Sequence, residues 1–139
     1  MPRRTVVDPT VGGGRPPLQR SKTMADAALL LRWNRPVAGR EQQALALFGK
    51  SLEYYGTLQS EGAIESFEPV LLGPVSIDLS GFILLRGSVE QLNALKQEDQ
   101  FVEMMIGAEH LIEGFGVIDA YLEGELQSRM AKYAKVAAQ

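Results

Sequence analysis

Residues Gly73–Gly87 read GPVSIDLSGFILLRG, and their alternation decides the fold. Period-two spacing places Val75, Ile77, Leu79, Ile83 and Leu85 on one side. Ser76, Asp78, Ser80, Phe82, Leu84 and Arg86 fall on the other. The first side is apolar throughout; the second starts polar and ends apolar. That pattern predicts a long central strand with helices on one face and a different cover over the far half of the other.

The flanking segments supply its neighbours. Ala63–Leu72, AIESFEPVLL, reads as a strand in which Pro69 cannot donate to a ladder, so it belongs at an edge or a bulge. Gly73-Pro74 is too short a link for a crossover, so these two strands pair antiparallel. Downstream, Ser88 with Gln91 three residues on is a capping-box signature. A helix over Val89–Lys96 follows, with Leu92 and Leu95 inward. Asp99 is placed to cap a second helical piece, Gln100–Glu109, which turns Phe101, Met104, Met105 and Ala108 inward.

Leu111–Leu122, LIEGFGVIDAYL, has the β-branched and aromatic character of a last strand, bent at Gly114 and Gly116. Glu123–Val136 closes the chain as a helix, with Leu126, Met130, Tyr133 and Ala137 on one stripe. Upstream, Ala27–Trp33, AALLLRW, is apolar on both alternating faces, and Asn34-Arg35-Pro36 ends it. Glu41–Leu58 then carries Leu45, Phe48, Leu52 and Tyr55 at helical spacing.

The order is β-α-β-β-α-β plus a C-terminal helix. This is the split βαβ arrangement of an α+β, ferredoxin-like domain with an antiparallel four-stranded sheet. Helices cover one sheet face. The other holds too many large apolar side chains to stay wet, so a homodimer through the open sheet face is expected.

Residues 1–24 differ from the rest. They contain four prolines and Gly12–Gly14, and five cations against Asp8 give them a net +4, leaving −7 for the remainder of a chain of net −3. A segment so poor in apolar residues cannot offset its ordering entropy. A disordered basic tail over 1–24 and one folded domain over 25–139 are therefore expected. Such a tail can touch nucleic acid or a cargo partner; its plainer reading is an extension upstream of a working start at Met24, and nucleic acid is not an expected ligand.

With no cysteine, disulfides, thiolate metal sites and a cysteine nucleophile are excluded, and a single histidine excludes a multi-histidine metal site within one protomer. No apolar run approaches the roughly 20 residues of a membrane span. A cytoplasmic protein without metal is the expectation. Gly12–Gly14 has neither a preceding strand nor a following Lys-Ser/Thr, and Gly114-x-Gly116 lacks a third glycine, so no nucleotide loop is read.

The element order, the RWNRP run (32–36) leading into Gly39-Arg40-Glu41, and the closing strand Leu111–Leu122 together resemble the dimeric α/β-barrel superfamily over about residues 26–122. The resemblance implies a small dimeric protein. Relatives include cofactor-independent monooxygenases, haem-degrading enzymes, lactone isomerases and proteins without known activity. Cofactor-free oxygenases of that superfamily hold aromatic substrates with Trp, Asn, Tyr or Arg. A haem role would need a buried axial histidine, which is not matched here, so no cofactor is expected.

Candidate chemistry is sparse. His110 is the sole side chain titrating near neutrality, hence the candidate base; its plainer reading, between helix and strand, is an interaction with the helix C-terminus. Trp33 and Arg32 are the other catalytic candidates, their plainer readings being a core residue and a solvated arginine. Asn34, Arg35, Tyr55, Phe82, Met104, Met105 and Tyr121 are the candidate ligand contacts. Arg35 is alternatively paired with Glu41, and Tyr54 and Tyr55 cannot both face inward. Asp78 and Arg86 are candidates for fixing dimer register.

Two functions follow. In one, a small apolar or aromatic molecule binds between sheet and helices, for binding alone or for a cofactor-independent monooxygenase or isomerase reaction. In the other, the chain is a non-catalytic association module.

Overall fold

The computed structural model describes residues 25–73 and 78–139. The tail expected over 1–24, and Val75, Ser76 and Ile77 of the proposed long strand, lie outside the described residues.

Among the described residues, four strands and four helices follow the expected order: β1 (Ala27–Trp33), α1 (Glu41–Ser60), β2 (Ser66–Leu71), β3 (Gly81–Gly87), α2 (Val89–Lys96), α3 (Asp99–Leu111), β4 (Gly116–Tyr121) and α4 (Glu123–Ala137). The sheet order is β2-β3-β1-β4 and every neighbouring pair is antiparallel. This is a ferredoxin-like α+β fold. The four-stranded sheet is open and does not close into a barrel within one chain.

Strand β3 is shorter than the alternation suggested. The ladder with β2 ends at Leu71 opposite Gly81, and just beyond it the Leu72 amide donates to the Ser80 carbonyl at 2.9 Å. Asp78 therefore belongs to the connection and not to a strand face. Within 81–87 the alternation holds: Ile83 and Leu85 are buried on the helix face, while Phe82, Leu84 and Arg86 point the other way.

The core is one cluster on the helix side of the sheet. Leu29 and Leu31 of β1 stand beside Leu85 and Ile83 of β3, and Tyr55 and Leu58 of α1, Leu92 and Leu95 of α2 and Phe101 of α3 close over them. The opposite face carries Leu30, Phe82, Leu84, Val70 and Ile118 in neighbouring register positions. None of these five belongs to that cluster or packs on it. Arg86 and Glu68 pair across this face at 3.3 Å.

Local signals explain most element ends. Ser88 accepts from the Gln91 amide at 3.0 Å while the Gln91 side chain accepts from the Ser88 amide at 2.8 Å, a full capping box at the start of α2. Such caps contribute about 1 kcal/mol. Asp99 does not cap α3: Glu98 holds that position without a side-chain bond, and Asp99 sits in the first turn. Helix α3 runs on to Leu111, and the last strand starts only at Gly116, because Gly114 turns the chain at φ 68.

Helix α4 departs most from expectation. It contains no buried residue, and the whole expected stripe of Leu126, Met130, Tyr133 and Ala137 is exposed. It leaves β4 through Glu123, whose φ of 44 is a conformation that costs a non-glycine residue about 1–2 kcal/mol. Arg129 lies over the Tyr121 ring, 4.2 Å from its centroid. Among the described residues, no helix is long and apolar enough to cross a membrane.

Candidate functional site

Between the sheet and helices α1 and α3 lies a cavity of about 460 Å³, within the range of small-molecule sites. Its floor is the helix face of the sheet at the Trp33–Gly81 end, with Leu31 and Ile83. Ala44, Phe48, Ser51 and Tyr55 of α1 form one wall, and Met104, Met105 and Ala108 of α3 the other. The two most exposed large apolar side chains of the described residues, Leu45 at 72% and Leu71 at 73%, stand at its mouth.

Local packing sets the aromatic geometry. Gly81 lies opposite Trp33 in the β1–β3 register, and a methyl group there would come within 2.8 Å of the indole. The missing side chain lets the indole lie against the strand. The Trp33 and Phe48 rings meet edge to face at 5.7 Å between centroids, a favoured aromatic arrangement. Tyr55 is 1% exposed and packs against Phe67 at 6.0 Å. Burial first, and Tyr54 second, push its phenol pKa above the ordinary value, so it stays neutral. Tyr54 points instead into a groove beside Glu98 and Glu61; partial burial, then those carboxylates, raise its pKa as well.

Polar groups gather at one end. The Ser80 hydroxyl donates to Asn34 Oδ1 at 3.3 Å, and the Ser80 amide donates to the Trp33 carbonyl at 2.8 Å. Arg35 and Glu41 are the charged lining residues, and both are exposed. Arg35 pairs with Glu113 at 3.3 Å, not with Glu41. Ser51 donates to the Leu47 carbonyl of its own helix at 2.8 Å, which satisfies it without a ligand.

The cavity thus brings together Trp33, Asn34, Arg35, Tyr55, Met104 and Met105 of the expected residues. Four others lie elsewhere. Phe82 alternates with Ile83 and so occupies the opposite sheet face. Arg32 alternates with Leu31 and Trp33; its guanidinium donates to the Asp78 carbonyl, and its buried Nε has no hydrogen-bond partner among the described residues. Tyr121 pairs with Ala27, at the other end of β1. His110 is exposed on α3, with Nδ1 3.0 Å from the Ile106 carbonyl oxygen, and its own carbonyl accepts from Arg40 at 2.9 Å.

Phe48, Ser80, Leu71, Ile112 and Phe115 also line the cavity without having been singled out as contacts. Phe48 was visible in the apolar stripe of α1; the others come from loops and strand ends that periodicity does not place. Among the described residues no group of three or more metal-ligating side chains comes together.

The fold class has a counterpart among solved structures. The chain is similar to the crystal structure of a dimeric protein of unknown function and ferredoxin-like fold from Bacteroides fragilis, with a TM-score of 0.52 and 9% identity over 71% of this chain and 99% of that one. At that identity the likeness shows the fold alone. No family model matches the chain, and no curated protein does.

Proposed function

We propose that this protein binds a small, apolar or aromatic organic molecule between its sheet and helices, and that it works as a homodimer of the dimeric α/β-barrel type. The observation carrying the first part is the cavity of about 460 Å³, walled by Trp33, Phe48, Tyr55 and the Met104–Met105 pair. A space of this size lined by aromatic and thioether side chains favours a planar apolar guest.

Trp33 is the single tryptophan, so its emission reports on the site. Titrating the full chain with small aromatic and lactone compounds is expected to give saturable quenching for some of them. An Ala44→Leu variant, which fills the cavity from α1, is expected to lose that saturation while keeping its far-UV signal. No saturation with any compound, or the same saturation in the filled variant, would remove this reading.

The second part is favoured by the open sheet face, where Leu30, Phe82, Leu84, Val70 and Ile118 lie together outside the core. An apolar sheet face of this kind is normally covered, and a second copy presents the same face by two-fold symmetry. The structural neighbour is dimeric. Light scattering is expected to give the mass of two chains, and Leu84→Glu, which places a charge at the centre of that face, the mass of one. A wild-type chain that scatters as a monomer at micromolar concentration argues against it.

A further inference from the structure

We propose that the molecule taken up by the cavity is uncharged, and that it carries one hydrogen-bonding oxygen seated against Asn34 and Ser80. This deepens the ligand-binding reading above and rests on it. Three observations lead here.

The first is where the charges stand. Arg35 and Glu41 are the ionised residues that touch the cavity. Both are exposed at its mouth, and Arg35 is committed to Glu113. The inner walls are Leu31, Ile83, Ala44, Ala108 and the neutral phenol of Tyr55. A carboxylate or ammonium carried inside would lose its water with no opposite charge to meet, and an unpaired buried ion is costly.

The second is the state of the polar pair. At 3.3 Å the Ser80–Asn34 hydrogen bond is long for a hydroxyl donor. The side-chain amide has four hydrogen-bonding sites and the hydroxyl three, so among the described residues one long bond between them leaves most of that capacity open. The backbone of Ser80 is fixed by its N–H donating to the Trp33 carbonyl, and that of Asn34 by its N–H donating to the Glu113 carbonyl, each at 2.8 Å. Both side chains are therefore held at the cavity end by anchored backbone. This is how a site built to orient a neutral oxygen is arranged.

The third is the contrast with Ser51. Its hydroxyl also lines the cavity, but it is spent on the Leu47 carbonyl at 2.8 Å. The opposite end offers a guest mainly contact with apolar and aromatic side chains. The ligand is thus polar at one end and apolar along its body.

Four probes sharing one ring system test this on the full chain by isothermal titration: naphthalene, 2-acetylnaphthalene, 2-naphthoate and 2-naphthylmethylamine. The ketone is expected to bind about tenfold or more tightly than the carboxylate and the amine. Asn34→Ala and Ser80→Ala are each expected to weaken the ketone by about threefold to tenfold, and the hydrocarbon by less. If the hydrocarbon and ketone bind but the carboxylate or amine binds as tightly as the ketone, the inference fails while the cavity remains a binding site. Equal losses for ketone and hydrocarbon in both variants also overturn it, since they would reflect a changed cavity shape. If none of the four binds, the ligand-binding reading fails and this one with it.

Discussion

Replacing Leu85 with alanine is expected to lower the unfolding free energy by about 2–5 kcal/mol. Leu85 is 0% exposed, in the middle of β3, with Leu29 of β1 on one side and Phe67 of β2 on the other. Truncation removes the transfer free energy of its branched end. It also leaves a void that the surrounding strands cannot close, because both neighbours are held by backbone ladders. A domain of this size has about 5–15 kcal/mol in all, so the loss is a large share. Urea unfolding measures it directly, with Leu84→Ala as the control from the other sheet face. A loss below about 1 kcal/mol for Leu85→Ala, or one no larger than the control, would mean that the helix side is not where the core lies.

Gly81→Ala is expected to cost about 1–3 kcal/mol and to shift the emission of Trp33. The added methyl would lie 2.6 Å from the Val70 carbonyl oxygen and 2.8 Å from the Trp33 ring. The oxygen belongs to the backbone of β2, which pairs with β3, so it cannot retreat without disturbing that ladder. The indole is the softer neighbour, and it moves by tilting towards Phe48 and into the cavity. Stability and ligand affinity are therefore expected to fall together. Unchanged melting with unchanged emission would show that neither contact constrains the site.

Much of the architecture could be read from residue pattern because it depends on local rules. Ala27–Trp33 was bounded correctly; beyond it Asn34 and Val37 donate to the Glu113 and Leu111 carbonyls, and Pro36, which has no N–H to give, makes only an isolated bridge to Ile112. Helix α2 matched at both ends because Ser88 and Gln91 form a reciprocal cap. The central strand was read too long over 78–80, because Leu79 keeps a strand-like alternation while the β2–β3 ladder ends at Leu71 opposite Gly81; Val75 and Ile77 lie outside the described residues. Alternation shows which side a residue faces, not where its partner stops.

The site was legible where it lies on regular elements. Trp33, Tyr55, Met104 and Met105 followed from strand and helix periodicity. Phe82 was already placed opposite Ile83 by that same period, so its alternation contradicted a role beside Trp33. His110 drew attention by being the single histidine, and scarcity carries no information about position. Ser80 was invisible as a contact, because its place depends on a backbone hydrogen bond to the Trp33 carbonyl across 47 residues of chain.

Helix α4 has a consequence for how order is distributed along the chain. Its 15 residues bury nothing, and near its first turns Arg129 lies against Tyr121 of β4. A helix of that length is marginal in water without tertiary support. In a lone chain its persistence is thus governed by the helix–coil balance of its own residues, not by the cooperative transition that melts sheet and core. A lone chain is therefore expected to lose α4 separately from sheet and core, with the boundary near Leu122, since Leu126, Met130 and Tyr133 are all exposed.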